Sequence, residues 1–490
     1  MGKIDVLVEV AQRQPQSFAL FAAALDSEIE AVRQGEALVP DLAGLGLEVV
    51  ADFAPVPMFA LRDEAEAENR VALAAFASPD ENPDLHSTSV VVPCQVERSR
   101  LEELRGRAGV RVYPNSPLAL FCDCGRGGAA TLEADSVRAP YSRGTPDAAD
   151  WAAAGMHPFD LASSASGVDC RPFQAAVSID VIRTLLGVER VWFDGFRGQN
   201  VVVGIIDEGV NGEAYPVVGG FVRPNNPRPG SAAVTSHGSM CAADILVAAP
   251  AAKLYDYPFL GQPNSGGAMA MFNEVLDQRR KDGTPHVTNN SYGFVGRPPR
   301  ADFPNHEVYD IDHPLHRKVR EVVASGCATF FAAGNCGGDC PSSRCHPSGT
   351  GPRLSINGSN ALDEVITVAA VNRHNDRIGY SSQGPGPSDD GFAERKPDIA
   401  AYSHFFGNFG PGRPAGGDTS RFDNGTSAST PVAAGVAALL LSAIPGLAPN
   451  ELKDALIGAA VNVGAPGWDP DTGHGVINAA ASYLLLRGRT

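Results

Sequence analysis

Three polar side chains stand where apolar runs meet small-residue turns. Asp207 directly follows Val201-Val-Val-Gly-Ile-Ile206, and His237 lies in Thr235-Ser-His-Gly-Ser-Met-Cys-Ala-Ala243. Ser427 sits between Gly425-Thr426 and the apolar run Val432 to Leu441. A hydroxyl, an imidazole and a carboxylate are the parts of a nucleophilic triad: the imidazole takes the hydroxyl proton and the carboxylate fixes its tautomer. Asn335 closes Ala328-Thr-Phe-Phe-Ala-Ala-Gly-Asn335. Its amide could donate to an oxyanion, an interaction worth about 2.7–4 kcal/mol in a transition state. Each residue alone also has a plainer reading: a turn aspartate, a structural histidine, a strand-capping asparagine, a helix-capping serine. The chain order Asp, His, Ser is one of the recurring orders of such triads.

The surrounding elements would have to display these groups. Gly425 permits a tight turn before a helix, and Pro431 is expected within its first turn, where a missing N–H costs little. Ser427 then stands at a helix N-terminus, which favours developing negative charge. Candidate strands are 200–206, 253–257, 286–291, 328–333 and 365–371. Candidate helices are 238–248, 266–279, 314–325, 426–443 and 450–459. Runs apolar on both faces imply a mostly parallel sheet covered on both sides, a doubly wound α/β fold, over residues 177–490. Residues 1–121 read as a small ferredoxin-like α+β unit of order β-α-β-β-α-β, with helices at Ser17–Arg33 and Val96–Arg107, a helical insertion at Glu64–Ala75 and a last strand at Leu118–Phe121. Residues 122–176, rich in Gly, Ser, Ala and Asp, read as a linker.

The chain has 490 residues and a formal charge of −17, which argues against a nucleic-acid partner. The run Val432–Ala443 is too short to cross a bilayer, so no membrane span is expected. Asp5 and Glu9 interrupt the apolar character of the first ten residues, which leads to an expected cytoplasmic location.

Several segments together resemble the subtilisin-like serine proteases, the subtilases. They are Val202-Val-Gly-Ile-Ile-Asp-Glu-Gly-Val-Asn211, Ser236-His-Gly-Ser-Met-Cys-Ala-Ala243, Phe331-Ala-Ala-Gly-Asn335 and Asn424-Gly-Thr-Ser-Ala-Ser-Thr-Pro431. Tyr380-Ser-Ser-Gln-Gly-Pro385, Lys396-Pro-Asp-Ile-Ala400 and Gly473-His-Gly-Val-Ile-Asn-Ala479 also match family segments. The resemblance implies a serine endopeptidase acting on protein or peptide through Ser427, His237 and Asp207. Asn335 and the Ser427 N–H would hold the oxyanion. Val287-Thr-Asn-Asn-Ser-Tyr-Gly293 resembles the strand that pairs with substrate, so Ser291, Tyr292 and Gly293, with Gly334 leaving room, are the implied substrate-binding residues. Glu208, Asn211, Met240 and Ala243 depart from common family residues without removing a catalytic atom. Cys241 stands where some subtilases carry a cysteine sensitive to thiol reagents. Ser89 to Pro114 resembles the second half of a subtilase propeptide. Residues 1–121 would then be an intramolecular chaperone and inhibitor, with processing within 122–176.

No cofactor is required for this chemistry. The cluster Cys336, Cys340, Cys345 and His346 leaves a zinc site, a disulfide or free thiols open, though its spacing is unusual for zinc. Trp468-Asp-Pro-Asp-Thr-Gly473 resembles a calcium loop only loosely; a structural calcium is compatible with the family, but no ligand set carries over. The competing function is a latched regulatory or binding protein that retains the protease fold.

Overall fold

The computed structural model describes residues 3–11, 46–50, 55–59, 87–107, 109–121, 167–170, 176–222, 228–259 and 263–488, with Leu42 and Gly44. The helix expected at Ser17–Arg33, the insertion at Glu64–Ala75 and most of the linker lie outside the described residues.

The N-terminal unit contains β1 (Lys3–Ala11), β2 (Leu47–Val49), β3 (Val56–Phe59), β4 (Ser87–Glu97), α1 (Leu101–Arg105) and β5 (Val110–Pro114). They form one antiparallel sheet in the order β2-β4-β1-β5, with β3 also paired to β4. Strand alternation sends its side chains to opposite faces, and both faces are buried. Val6, Val8, Val90, Val92, Cys94 and Val96 join Leu104 in a local core. Leu7, Val56, Met58, Val91 and Tyr113 join the core of the larger unit instead. Burying each large aliphatic side chain contributes about 1.5–3 kcal/mol, so docking of this sheet is driven by its second apolar face. The helix expected at Val96–Arg107 is shorter, because β4 continues to Glu97 to complete its pairing with β1.

After β5 the chain adds β6 (Ala119–Leu120), then β7 (Val168–Asp169) and β8 (Val177–Ser178), followed by α2 (Ile179–Leu186) and α3 (Val188–Phe193). The large unit continues with β9 (Val202–Asp207), β10 (Val217–Gly220), α4 (His237–Ala248), β11 (Lys253–Pro258), α5 (Ser265–Asp282), β12 (Val287–Asn290), β13 (Tyr292–Gly293), α6 (Pro314–Ala324) and β14 (Ala328–Ala332). Last come β15 (Ile366–Val371), β16 (Arg377–Ile378), β17 (Ile399–Tyr402), β18 (Phe405–Phe406), α7 (Thr426–Ala443), α8 (Pro449–Gly458) and α9 (Ala479–Arg487). Strands β10-β11-β9-β12-β14-β15-β17 run parallel. This is the expected mostly parallel α/β sheet. Helix α7 packs against α4 and across β12, β14, β15 and β17, while α5 and α6 pack together and meet β3 of the N-terminal unit. Among the described helices, α7 alone has the length and hydropathy of a membrane span, and it is buried in the core.

Two expectations change. The downstream end of the 122–176 linker belongs to the large sheet: β7 pairs with β16, and Cys170 is bonded to Cys340. Cys336 and Cys345 form a second disulfide. The three thiols of the proposed zinc set are therefore consumed, and His346 instead bonds Ser348 Oγ at 2.7 Å. The zinc reading is corrected accordingly.

Candidate active site

Parallel strands share one carboxyl end, and the polar residues gather there. The registers Ile206↔Asn290 and Asn290↔Phe331 bring Asp207, Ser291 and the Gly334-Asn335 turn to the same edge. His237 opens α4, whose N-cap Ser236 accepts from Ser239 N at 3.1 Å. Small residues Gly238, Ala242 and Ala243 let that helix lie close; a Cβ on Gly238 would stand 2.4 Å from the Gly209 carbonyl oxygen. His237 Nδ1 lies 2.8 Å from both carboxylate oxygens of Asp207, and Oδ1 also accepts from Glu208 N at 2.8 Å. Both side chains are buried. The carboxylate is thus placed to hold a proton on Nδ1 and leave a lone pair on Nε2.

Ser427 is the second residue of α7. Gly425 adopts φ 81°, ψ 168°, a left-handed region open to glycine and hostile to side chains. Pro431 lies in the second turn of α7, not the first. It has no N–H to give to the Ser427 carbonyl four residues back. That carbonyl accepts from Ser291 Oγ at 3.3 Å and from the Cys241 thiol at 3.6 Å instead. Those two contacts explain how an interior proline is tolerated so close to Ser427. Cys241 is fully buried, and burial, aided by Asp207, pushes its thiol well above the ordinary range. It therefore acts here as a small packed group beneath the site.

The Ser427 hydroxyl donates to the Ser291 carbonyl at 3.2 Å, while His237 Nε2 is buried with no hydrogen-bond partner among the described residues. The Ser427–His237 bond expected of a working triad is not made in this state. Such bonds are often formed only when the reacting complex tightens. Asn335 Oδ1 accepts from Thr426 N and Oγ1 at 2.9 and 2.8 Å, which aims its amide nitrogen into the cleft.

The cleft is filled by the chain itself. Strand β6 pairs antiparallel with β13, Leu120 opposite Tyr292 and Ala119 opposite Gly293. Phe121 N donates to the Ser291 carbonyl at 3.1 Å, and the Phe121 carbonyl accepts from Asn335 Nδ2 at 2.5 Å. The buried Phe121 ring occupies the space that glycines leave: a Cβ on Gly293 would stand 2.7 Å from its Cζ, and one on Gly334 3.5 Å away. A Cβ on Gly425 would stand 2.0 Å from the Phe121 oxygen. Ser291, Tyr292, Gly293 and Gly334 thus all border an extended peptide. The resemblance implied residues 1–121 as the inhibitor, but not which of its segments enters the cleft. Leu118–Phe121 carried only a strand signal, and nothing local told which edge it would join.

The 468–473 loop does not hold its first carboxylate free for calcium. In the 468–473 loop, Asp469 Oδ1 accepts from Asp471 N and Thr472 N, both at 2.8 Å, and Oδ2 accepts from Thr472 Oγ1 at 2.9 Å. Its carboxylate closes a turn. Among the described residues, the one cluster with ligand-type atoms within 4.8 Å is Asp207, His237 and Cys241, which is the candidate site itself.

Comparison with known families matches residues 198–475, more than half of the chain, to the subtilase family of peptidases. The chain belongs to the subtilase family. It is therefore a hydrolase of the serine protease class. Among similar proteins, subtilisin DY of Bacillus licheniformis is 28% identical over 308 residues, covering 61% of this chain and 96% of that protein. Serine protease AprX of Bacillus subtilis is 26% identical over 326 residues, 58% of this chain and 66% of that protein. A protein named calcium-dependent protease from Trichormus variabilis is 28% identical over 365 residues, 64% of this chain; the chain spans half of its length. The crystal structure of fervidolysin from Fervidobacterium pennivorans, at 16% identity, shares the fold with TM-score 0.54, covering 99% of this chain and 61% of that one.

Proposed function

We propose that this subtilase is a serine endopeptidase made as a latent precursor, and that the first bond it cuts is its own Phe121–Cys122 bond. The observation that carries the reading is the Phe121 carbonyl, held by Asn335 Nδ2 at 2.5 Å while β6 lies as a strand on β13. Strand addition supplies backbone affinity with little sequence demand, and the enclosed Phe121 ring points to a large apolar residue before the cut bond.

The steps follow from these groups. Ser427 Oγ attacks the Phe121 carbonyl carbon, and its proton passes to His237 Nε2. Asn335 Nδ2 and the Ser427 N–H stabilise the oxyanion, and Asp207 stabilises the imidazolium. Collapse breaks the bond to Cys122, whose amine takes the proton from His237. Water, deprotonated by the same imidazole, then releases Phe121 as a carboxylate, and Ser427 recovers its proton. Until residues 1–121 leave, they block the cleft. The competing reading, a latched binding protein without turnover, draws on that same occupancy and on the Ser427–Ser291 bond. A fluorophosphonate probe separates the two. Labelling of Ser427 once the N-terminal unit is trimmed away is expected; a trimmed protein that never labels would leave the binding reading.

Polar contacts suggest what loosens the latch. Arg317 Nη2 bonds Glu9 at 2.7 Å, Lys318 Nζ bonds the Pro57 carbonyl at 2.7 Å, and buried Glu307 accepts from Ser116 Oγ at 2.8 Å. Burial raises Glu9, but its bonds to Arg317, Ser89 and Tyr113 hold it below the usual carboxylate range. Glu307 is likewise lowered, burial being offset by His313 and His306. Burial lowers His306 and His313 themselves. Groups depressed in the docked state bind protons more readily once freed, so docking weakens as pH falls. The loss begins as pH drops through the ordinary histidine range near 6.5 and grows below the ordinary carboxylate range near 4.5. Cleaved protein is expected to release its N-terminal unit faster at pH 5 than at pH 8, measured by size exclusion. Equal or slower release at pH 5 would contradict the latch.

The two disulfides support an oxidising compartment in place of the cytoplasmic location expected from the N-terminal residues. Dithiothreitol is expected to lower turnover by loosening the loop after Asn335; full activity with both bonds demonstrably reduced would count against that placement. Relatives named calcium-dependent proteases support a structural calcium for such enzymes. The Asp469 carboxylate is taken up by its own turn, and no step is routed through calcium.

A further inference from the structure

We propose that Tyr380 is a positioning residue that sets the spacing between the two oxyanion donors, the Asn335 amide and the Ser427 backbone N–H. These donors come from loops more than ninety positions apart, following β14 and opening α7. Their separation must be held by whatever spans both loops. The segment Tyr380–Ser382 does so. On one side it brackets Asn335: Ser382 N donates to the Gly334 carbonyl at 2.9 Å, Cys336 N to Ser382 Oγ at 3.1 Å, and Gly337 N to the Tyr380 carbonyl at 2.7 Å. On the other side the Tyr380 hydroxyl accepts from Gly425 N at 2.7 Å. Thr426 closes the ring through its two bonds to Asn335 Oδ1.

Gly425 needs this support. It has no side chain to brace the turn, and its buried N–H lies outside the helical bonding of α7. Ser403 Oγ holds the carbonyl of the same residue at 2.9 Å. The tyrosine is itself fixed. Its hydroxyl lies 2.9 Å from His404 Nε2, and the two rings meet edge to face at 5.7 Å. Burial pushes His404 down to about 4, so the imidazole is neutral at working pH. Its Nε2 can then accept the phenolic proton while the phenolic oxygen accepts from Gly425. One hydroxyl thus holds the peptide two residues before the nucleophile, and the backbone of the same residue holds the loop of Asn335.

The test replaces Tyr380 by Phe, which keeps the ring and removes the oxygen. Turnover of a peptide anilide ending in Phe is measured on trimmed enzyme, per site titrated with a fluorophosphonate. The kcat is expected to fall about tenfold to a hundredfold, the scale of a damaged oxyanion donor, with KM within about twofold. The same change made in an Asn335→Ala enzyme is expected to cost less than about threefold, because one of the two donors is already gone. A purely structural role would reduce the number of titratable sites and leave turnover per site alone. Unchanged kcat per site, or the same loss in both backgrounds, overturns the proposal. If Tyr380→Phe yields no titratable sites, Ser403→Ala loosens the same Gly425 peptide from its carbonyl side. It must then show the same dependence on Asn335, and equal losses there overturn the proposal too. The inference rests on the serine endopeptidase reading. Wild-type Ser427 that never labels would sink that reading, whereas labelled enzyme indifferent to Tyr380 sinks only this one.

Discussion

Ser427→Ala is expected to abolish peptide turnover, by about a millionfold in kcat, the scale seen when the nucleophile of a triad is removed. The size of the effect follows from the chemistry. Without Oγ there is no acyl-enzyme, and what remains is the modest catalysis of a bound substrate beside the Asn335 amide. The fold should be spared. Ser427 Oγ makes one bond, to the Ser291 carbonyl, and that carbonyl keeps its bond from Phe121 N. Thermal unfolding within a few degrees of wild type is therefore expected alongside the kinetic loss. Residual turnover within a hundredfold of wild type would remove Ser427 from its assigned role.

Asp207→Asn is expected to cost about ten-thousandfold in kcat while KM changes little, the scale of a triad whose histidine is left in the wrong tautomer. Both oxygens of Asp207 lie 2.8 Å from His237 Nδ1, and Oδ1 also serves Glu208 N. An asparagine has only one oxygen. Keeping it on Glu208 N turns the amide N–H₂ toward Nδ1, which must then give up its proton. The proton moves to Nε2, where the lone pair that accepts from Ser427 is needed. The buried imidazolium would also lose its counter-charge. Steady-state kinetics on trimmed enzyme checks this, and a loss below tenfold would show that Asp207 does not govern the tautomer.

Much of this site was legible in the chain because each functional group ends an element with a strong apolar signature. Asp207 ends a strand buried on both faces, Asn335 follows another by three residues, and Ser427 is the second residue of a helix buried all round. What escaped depends on contacts distant in sequence. The pairing of Leu120 with Tyr292 spans a polar linker, and no local pattern sets its register. Cys336, Cys340 and Cys345 suggested one cluster, but Cys340 takes its partner 170 positions upstream. The strand at Val168–Asp169 lies among small and polar residues and forms because the edge of β16 accepts it. Tyr380 resembled a family segment without a role, since the value of its hydroxyl lies in reaching Gly425, 45 residues on.

The most direct test of self-processing is intact-mass measurement of the full chain and of Ser427→Ala after incubation. The expected result is a wild-type fragment ending at Phe121, with its complement beginning at Cys122, and an uncut variant. A wild type that stays whole, a first cut elsewhere, or equal cutting of both proteins would contradict it.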